Sequence, residues 1–432
     1  MEKEQLKQAV LNSIEENKER LIEIGNWLYA NPEPGFREEK TAGCVKKVLE
    51  DCGLSVRDHV AYTGVKATAK GKSHHINLAL MGELDSLIMP RHPKADPVTG
   101  ACHGCGHHAQ LTTILGVAMG LVETGLLQHL DGDLTFIGVP AEEVVEQDYR
   151  NELREVGKIR FLSGKQEMLA LGEFQDVDIV FCSHIMGQTE QPHSWVGHSW
   201  NGVIHKTVRF TGKAAHAGLA PEKGINALQA AICGLNNLNG LRERFRDDDH
   251  VRVHYIFTKG GDSANVVPDD VRLEFGVRAS TVEAMQKANE MVNQALQNGA
   301  DTIGAMVEIE DTGSYLPCHQ NEQMCQLYTA NAKALLGDEN AENVFGSHRG
   351  SSTDCGDVAS LIPTIHPYFG GAVGSPHGAD FDIINPYAAY VVPAKIAAMT
   401  VIDLLWDDAK LARQVKKNFT PVFQSIEEYL NG

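Results

Sequence analysis

The chain has 432 residues, of which 43% are hydrophobic, and its formal net charge is −19. This length predicts two domains, because a single hydrophobic core rarely extends over so many residues. The acidic balance argues against nucleic acid and anionic membrane surfaces as partners, and no apolar run is expected to span a membrane.

The N-terminal segment is predicted to be helical. Residues 5–30 carry apolar side chains at helical spacing, and the turn residues 31–35 end that pattern. A second helix is expected over residues 38–52, closed by Gly53. The segment is charged and lacks the apolar core of a secretory signal. Together with nine scattered cysteines, this favours a cytoplasmic protein with reduced thiols.

Three short apolar runs are typical of buried strands: residues 77–81, 134–139 and 178–182. A helical pattern over residues 111–127 separates the first two runs. This alternation predicts an α/β domain with a mixed, largely parallel sheet flanked by helices. Ligands of such sheets bind at the carboxyl ends of the strands. The polar residues just beyond those ends are Glu83, Asp85, Glu142, Glu143 and His184.

The pattern changes at about residue 200. The elements predicted there are strand 205–210, helix 226–238, strands 251–257 and 272–278, helix 282–298 and strand 307–310. This order predicts a ferredoxin-like α+β sandwich. The α/β pattern then resumes with helix 320–336, a strand at 364–368 and helix 388–405. We therefore expect one domain of residues 1–198 and 314–432, into which a second domain of residues 199–313 is inserted.

The segment Cys102-His103-Gly104-Cys105-Gly106-His107-His108 concentrates thiols and imidazoles, which are ligands of divalent metals. Gly106 stands where haem attachment needs a histidine, and the sequence has no second cysteine pair of the zinc-ribbon kind. Two alternatives to a metal site stay open, a redox pair of Cys102 and Cys105 and a purely structural cluster.

Two adjacent acids, Glu142 and Glu143, follow an apolar strand and Pro140. Neighbouring acids most often lie on a solvated surface, but a solvated helix is not expected at this position. One carboxylate could bind a metal ion while its neighbour acts as a general base.

The other candidate residues lie in loops. His184 follows a strand, His377 lies in the turn-rich segment 374–378, and His216 stands among small residues. The turn 260–268 could present the side-chain amide of Asn265. Each of these residues, taken alone, is equally well explained as a structural or surface residue.

In combination and order, these segments resemble the aminoacylase and glutamate-carboxypeptidase family of metallopeptidases. The Cys-Gly-His segment is similar to the amidohydrolase branch, which includes hippurate, indole-acetyl-amino-acid and p-aminobenzoyl-glutamate hydrolases. The motifs most like the last of these are Gly82-Glu83-Leu84-Asp85, Ser314-Tyr315-Leu316-Pro317 and Ser352-Thr353-Asp354-Cys355-Gly356-Asp357-Val358. The resemblance extends from Asn31-Pro32-Glu33 to the last helix.

The resemblance implies a catalytic domain that binds two divalent metal ions, Mn or Zn in the first place and Co or Ni as alternatives. It also implies that the inserted domain is a lid through which the chain forms a homodimer. The implied metal ligands are Cys105 as the bridging ligand, His107, Glu143, His184 and His377. Glu142 would be the general base, and His216 would reach the metal site of the partner subunit to stabilise an oxyanion. The remaining implied roles are substrate binding by Asn265 and Arg278 and orientation of a ligand imidazole by Asp85.

The sequence departs from the family pattern in three places. Zinc peptidases of the wider family have histidine where Glu83 stands, which leaves the metal and the role of Glu83 open. His366 competes with His377 as the last ligand. The stretch 146–164 is longer and more charged than the family pattern.

The predicted reaction is hydrolysis of an amide bond by metal-activated water. The expected substrate is an N-acyl amino acid, a p-aminobenzoyl-glutamate-like compound or a dipeptide. The alternative is a non-catalytic, ligand-binding relative that keeps the same fold.

Overall fold

The structure, a computed structural model, describes residues 1–431. The chain forms two compact units. Unit 1 consists of Met1–His198, His319–Ser347 and Val358–Gly432, and unit 2 consists of Ser199–Cys318 and His348–Asp357. The insertion expected from the sequence covered residues 199–313, so unit 2 also takes in residues 314–318 and 348–357.

Unit 1 is built on a six-stranded mixed sheet. Its strands, from one edge to the other, are Val56–Val60, Gly64–Ala69, Asp133–Val139, Asn77–Glu83, Ile179–Phe181 and Thr364–Ile365. The first three strands pair antiparallel, and the last four run parallel to one another. The central strands are buried because their side chains are apolar on both faces.

Helices cover this sheet. The α-helices of unit 1 are Lys3–Glu16, Lys18–Ala30, Glu39–Asp51, His107–Val117, Gln147–Glu155, Gly164–Ala170, Glu322–Leu336, Val392–Asn418 and Ile426–Asn431. Two π-helical segments, Ala118–Glu123 and Tyr387–Val391, adjoin them. Short strands complete the unit: Leu87–Ile88, Ala101–Cys102, His184–Ile185, Ser194–Val196, Ala341–Asn343, Tyr368–Phe369, Ala372–Val373 and Asp382–Ile383. The helix Cys355–Ala359 begins in the unit 2 segment and ends in unit 1.

Unit 2 is a four-stranded antiparallel sheet packed against two helices. Its strands, in spatial order, are Arg252–Lys259, Asp270–Ala279, Gly202–Thr211 and Met306–Tyr315. The helices are Ala227–Leu241 and Val282–Ile303, and a small pair of strands is formed by Ser199–Trp200 and His348–Arg349. The chain order of strand, helix, two strands, helix and strand is the predicted ferredoxin-like arrangement. The predicted fold class is confirmed for both units.

Two predictions about helices were wrong. The single helix expected over residues 5–30 is interrupted at Asn17, whose ψ of 6° departs from the helical value, and the side-chain amide of Asn17 donates to the carbonyl oxygen of Ser13. The expectation that no apolar run reaches the length of a membrane span was also wrong. The helical segment Tyr387–Asn418 is long and apolar enough by length and composition, but its apolar window is 100% buried, as in a core helix.

Candidate metal centre

Two parallel strands position the acidic residues of the site. Asn77–Glu83 and Asp133–Val139 pair in register, so Glu83 lies opposite Val139. The segments that follow the two strands therefore emerge at the same edge of the sheet. The acids on these segments are Asp85, Glu142 and Glu143.

A glycine turn presents the thiol and the first imidazole. Gly106 has a left-handed φ of +88° and precedes the helix His107–Val117. A Cβ at Gly106 would lie 2.2 Å from the side chain of Ile185. Both the conformation and the space require glycine. The turn thus sets Cys105 and His107 on either side of the start of the helix.

Five of the predicted ligands form two groups of potential metal donors. In the first group, donor atoms of Cys105, His107 and His184 lie within 4.8 Å of one another. In the second group, the same holds for Cys105, Glu143 and His377. Cys105 is common to both groups, as a ligand that bridges two ions would be.

The spacing of these donors fits divalent metal ions. With metal–ligand bonds of about 2.0–2.3 Å, neighbouring donors of one ion lie about 3–3.5 Å apart. Cys105 Sγ lies 3.3 Å from His184 Nε2, and Glu143 Oε1 lies 3.1 Å from His377 Nε2. The buried Nε2 of His107 forms no hydrogen bond, and the carboxylate of Glu83 lies 3.1 Å from it. A buried imidazole nitrogen that makes no hydrogen bond among such donors is available to a metal ion.

Asp85 orients two of the donors. His107 Nδ1 lies 3.0 Å from the carbonyl oxygen and 3.1 Å from the carboxylate of Asp85. Since both are acceptors, Nδ1 carries the proton and Nε2 is left with the lone pair that a metal requires. The other carboxylate oxygen accepts the backbone N–H of Glu143 at 2.8 Å. This geometry suits the orienting role predicted for Asp85.

Burial shapes the charge state of the donors. Burial, with Glu143 nearby, raises the pKa of the Cys105 thiol well above its usual value, so a thiolate there needs a cation beside it. Burial and His107 together lower the pKa of His184 to about 3, which keeps its ring in the neutral, metal-binding form. Burial lowers the pKa of His107, but Glu83 and Cys105 outweigh it and hold that pKa well above the usual range, so Nε2 gives up its proton only where a cation replaces it.

Together with Glu83 and His107, Glu142 belongs to a further group of potential donors. Its Oε2 lies 3.8 Å from Nε2 of His107, and its side chain keeps 12% of its accessible surface. Glu143 points into the second group, whereas Glu142 retains this exposure. The greater exposure of Glu142 suits a general base, and the division of roles between Glu142 and Glu143 stays a prediction.

Glu83 is held by a buried cation that the sequence analysis missed. Lys165 Nζ lies 2.5 Å from one carboxylate oxygen, and Gln110 Nε2 donates to the other at 2.7 Å. The second oxygen also lies 3.1 Å from Nε2 of His107. Burial would raise the pKa of Glu83, but Lys165 and His107 hold it well below its usual range. Gln110 follows His107 by three residues on the same helix, so the helical spacing could have indicated that Gln110 lies on the side of the helix that faces the site.

The structure separates the two rivals for the last ligand. His377, with a left-handed φ of +62°, belongs to the group with Cys105 and Glu143. The buried ring of His366 lies 5.9 Å from that of His184, and His366 belongs to neither group that contains Cys105. The geometry favours His377, and the assignment stays a prediction.

The remaining candidates lie in unit 2. His216 and Asn265 are exposed and lie on adjoining loops, where the N–H of Ala217 donates to the carbonyl oxygen of Asn265 at 2.9 Å. Arg278 lies on the strand Asp270–Ala279 and donates to Ser352. Burial lowers the pKa of Arg278. Their roles in catalysis stay predictions.

The neighbouring thiol and imidazoles pack away from the donors. Tyr29, His103, His108 and Tyr390 form a buried aromatic cluster. Burial raises the pKa of Cys102 to about 11, which disfavours a reactive redox thiol. Neither group that contains Cys105 includes Cys102.

Comparison with known proteins identifies relatives along the whole chain. Residues 200–303 match the family model of the M20 peptidase dimerisation domain. The Xaa-Arg dipeptidase of Mus musculus is 27% identical and aligns with 100% of this chain and 95% of its own length. The N-acetylcysteine deacetylase of Bacillus subtilis is 28% identical, over 74% of this chain and 80% of its own.

Solved structures share the fold. A putative aminohydrolase from methicillin-resistant Staphylococcus aureus superposes with a TM-score of 0.78 at 21% identity, over 92% of this chain and 99% of its own. A dinuclear metal-binding M20 peptidase from Bacillus subtilis gives a TM-score of 0.70 at 22% identity, over 90% and 99%. The predicted family resemblance is confirmed, and so is the predicted enzyme class, a hydrolase of the metallopeptidase and amidohydrolase kind.

Proposed function

Because the chain is a homologue of the M20 peptidases and amidohydrolases, we propose that it hydrolyses a small amide at a centre of two divalent metal ions. The substrate class is an N-acyl amino acid, a p-aminobenzoyl-glutamate-like compound or a dipeptide. The observation that carries the proposal is the pair of donor groups that share Cys105, with Glu142 beside them.

Each ion is assigned three protein ligands. His107 and His184 would hold one ion, Glu143 and His377 would hold the other, and Cys105 would serve both. Thiolate and imidazole donors suit zinc, whereas carboxylates also suit manganese, so these two metals come first, with cobalt and nickel next. Divalent ions at such a centre polarise a carbonyl oxygen and lower the pKa of water.

The protein's own groups move the protons. Glu142 accepts a proton from the attacking water and then delivers it to the departing nitrogen, which its partly exposed carboxylate can reach. Asp85 keeps His107 in the tautomer that leaves Nε2 free of a proton. His216 stabilises the oxyanion in the site of the partner subunit, and Asn265 and Arg278 bind substrate oxygens.

The quaternary state and location follow from other features. The matched dimerisation domain supports a homodimer formed through unit 2. The nine cysteines are scattered through a long chain, which supports a reducing compartment, and we infer a cytoplasmic location. Size-exclusion chromatography with light scattering tests the dimer, and a single-chain mass would contradict it.

A substrate panel with a base variant tests the proposed reaction. N-acyl amino acids, p-aminobenzoyl-glutamate and dipeptides are incubated with the protein and added manganese, zinc or cobalt. We expect turnover of at least one class, and a loss of about 10²–10⁴-fold in kcat for Glu142→Gln, because the amide cannot take the proton. The matched control is Glu152→Gln, which makes the same change at an exposed glutamate and should leave kcat unchanged. Full activity of Glu142→Gln would refute the assignment of the base.

A further inference from the structure

The backbone that carries Glu142 adopts an uncommon conformation. Ala141 has a φ of +53° and Glu146 a φ of +50°, although neither residue is glycine. Left-handed backbone at a non-glycine residue costs about 1 kcal/mol or more and persists only where the surroundings enforce it. The segment from Pro140 to Glu146 therefore needs contacts that hold it in place.

Arg150 supplies such contacts on the carbonyl side. Its guanidinium donates to the carbonyl oxygen of Ala141 at 3.3 Å, to that of Leu162 at 2.6 Å and to that of Glu143. Ala141 and Glu143 are the two neighbours of Glu142 in sequence. One planar guanidinium thus holds the carbonyl groups on both sides of Glu142.

Two buried acids hold the amide side of the same residues. Glu38 accepts the N–H of Ala141 at 2.8 Å, and Asp85 accepts the N–H of Glu143 at 2.8 Å. Both acids are fully buried. Each neighbour of Glu142 therefore has its N–H and its carbonyl group bound by ionisable side chains, which constrains the peptide groups on both sides of Glu142.

The placement of Arg150 is costly and specific. Its side chain is 0% exposed, and its hydrogen bonds within residues 1–431 all go to carbonyl oxygens. The guanidinium also lies 5.5 Å from the centre of the Phe36 ring, whereas its buried Nε has no hydrogen-bond partner. A buried charge compensated in this way, without a carboxylate, is unfavourable. Gly35 leaves room for the guanidinium, since a Cβ there would lie 2.3 Å from Nη2. A side chain needed only for packing would not require a charge at this position.

We propose that Arg150 is a positioning residue for the hydrolysis proposed above, which fixes the backbone on both sides of Glu142 and so aims the general base. Arg150 lies on the helix Gln147–Glu155, and with a 0% exposed side chain it acts through the backbone and not on the substrate. A shift of about 1 Å in a catalytic group costs roughly 100-fold in rate, and loss of the clamp is expected to act at that scale.

The test compares Arg150→Met and Arg150→Lys with Lys7→Met. Lys7 is a buried cation of unit 1 that binds Asp403 and Asn331, so its loss reproduces the general cost of removing a buried charge. We expect Arg150→Met to lower kcat about 100-fold with KM within about threefold and two metal ions still bound. Arg150→Lys should recover part of kcat, because an ammonium group can serve some of the carbonyls but cannot span all three. Lys7→Met should keep kcat.

A second measurement does not depend on turnover or on Arg150→Met folding. Hydrogen exchange in peptides that cover residues 140–146 should be faster in Arg150→Lys than in the wild type and unchanged in Lys7→Met. If no amide is hydrolysed by the wild type, the proposed function fails and the exchange result alone decides on the clamp. Unchanged exchange in Arg150→Lys, or a kcat for Arg150→Met within threefold of the wild type, would overturn the proposal.

Discussion

Removal of the shared thiol should weaken the binding of both metal ions, whereas removal of an unshared ligand should weaken the binding of one ion. Cys105 belongs to both donor groups, while His184 and His377 each belong to one. Cys105→Ala leaves two protein donors for each ion. His184→Ala and His377→Ala each leave one ion with all three donors.

The size of the effect follows from the donor count. A structural zinc ion with four ligands is bound by about 10–16 kcal/mol, which is about 3 kcal/mol for each ligand. About 1.4 kcal/mol corresponds to a tenfold change in Kd, so the loss of one donor should raise the Kd of an ion about 100-fold. Cys105→Ala should therefore raise the Kd of both ions by about this factor, and His184→Ala should raise the Kd of only one ion.

The assay is competition between the metal-free protein and a chelator of known zinc affinity, with elemental analysis of the bound metal. Cys102→Ala is the matched control, since this buried thiol lies three residues away and belongs to neither group that contains Cys105. The control should keep two ions at wild-type affinity. Two ions bound at wild-type affinity by Cys105→Ala would refute the shared-ligand geometry, and so would equal weakening of both ions by His184→Ala.

Three further predictions concern stability. Lys165→Met should cost about 3–5 kcal/mol in the free energy of unfolding, measured by denaturant titration, because it leaves Glu83 buried without its cation; an unchanged midpoint would contradict this. Gly106→Ala should cost about 2–4 kcal/mol, because of the left-handed φ and the clash with Ile185, whereas Gly43→Ala, on an open helix face, should cost nothing. Burial, with Asp85 nearby, raises the pKa of Glu38 to about 8. The Glu38 carboxyl of the unfolded chain releases its proton near pH 4.5, so the free energy of unfolding should fall as the pH rises from there through about 8. Melting curves of Glu38→Gln, recorded across this pH range, should lack that fall.

Local sequence patterns predicted the elements and the ends of the strands. The apolar runs at 77–81 and 134–139 became the central parallel strands, and this pairing is what brings the residues after Glu83 and Val139 together. The helix break at Asn17 was missed because apolar spacing continues on both sides of it. The periodicity of apolar residues does not reveal where a single residue departs from helical backbone angles.

The contacts that hold the site were not predictable from spacing. Glu38 and Ala141 are 103 residues apart in sequence, and Glu83 and Lys165 are 82 residues apart. Nothing local marks Lys165 as a buried partner, because a lysine in a helix is most often exposed. Short sequence motifs indicate the candidate metal ligands, whereas the residues that orient those ligands are distant in sequence and become neighbours only in the folded chain.

Stepwise loading of the metal-free protein with zinc or manganese, while hydrolysis of the amide panel is followed, tests the central claim most directly. The metal-free protein should hydrolyse no amide, and activity on at least one substrate should rise until two ions are bound per chain. Undiminished hydrolysis without metal, or a chain with two bound ions that hydrolyses none of these amides, would contradict the account.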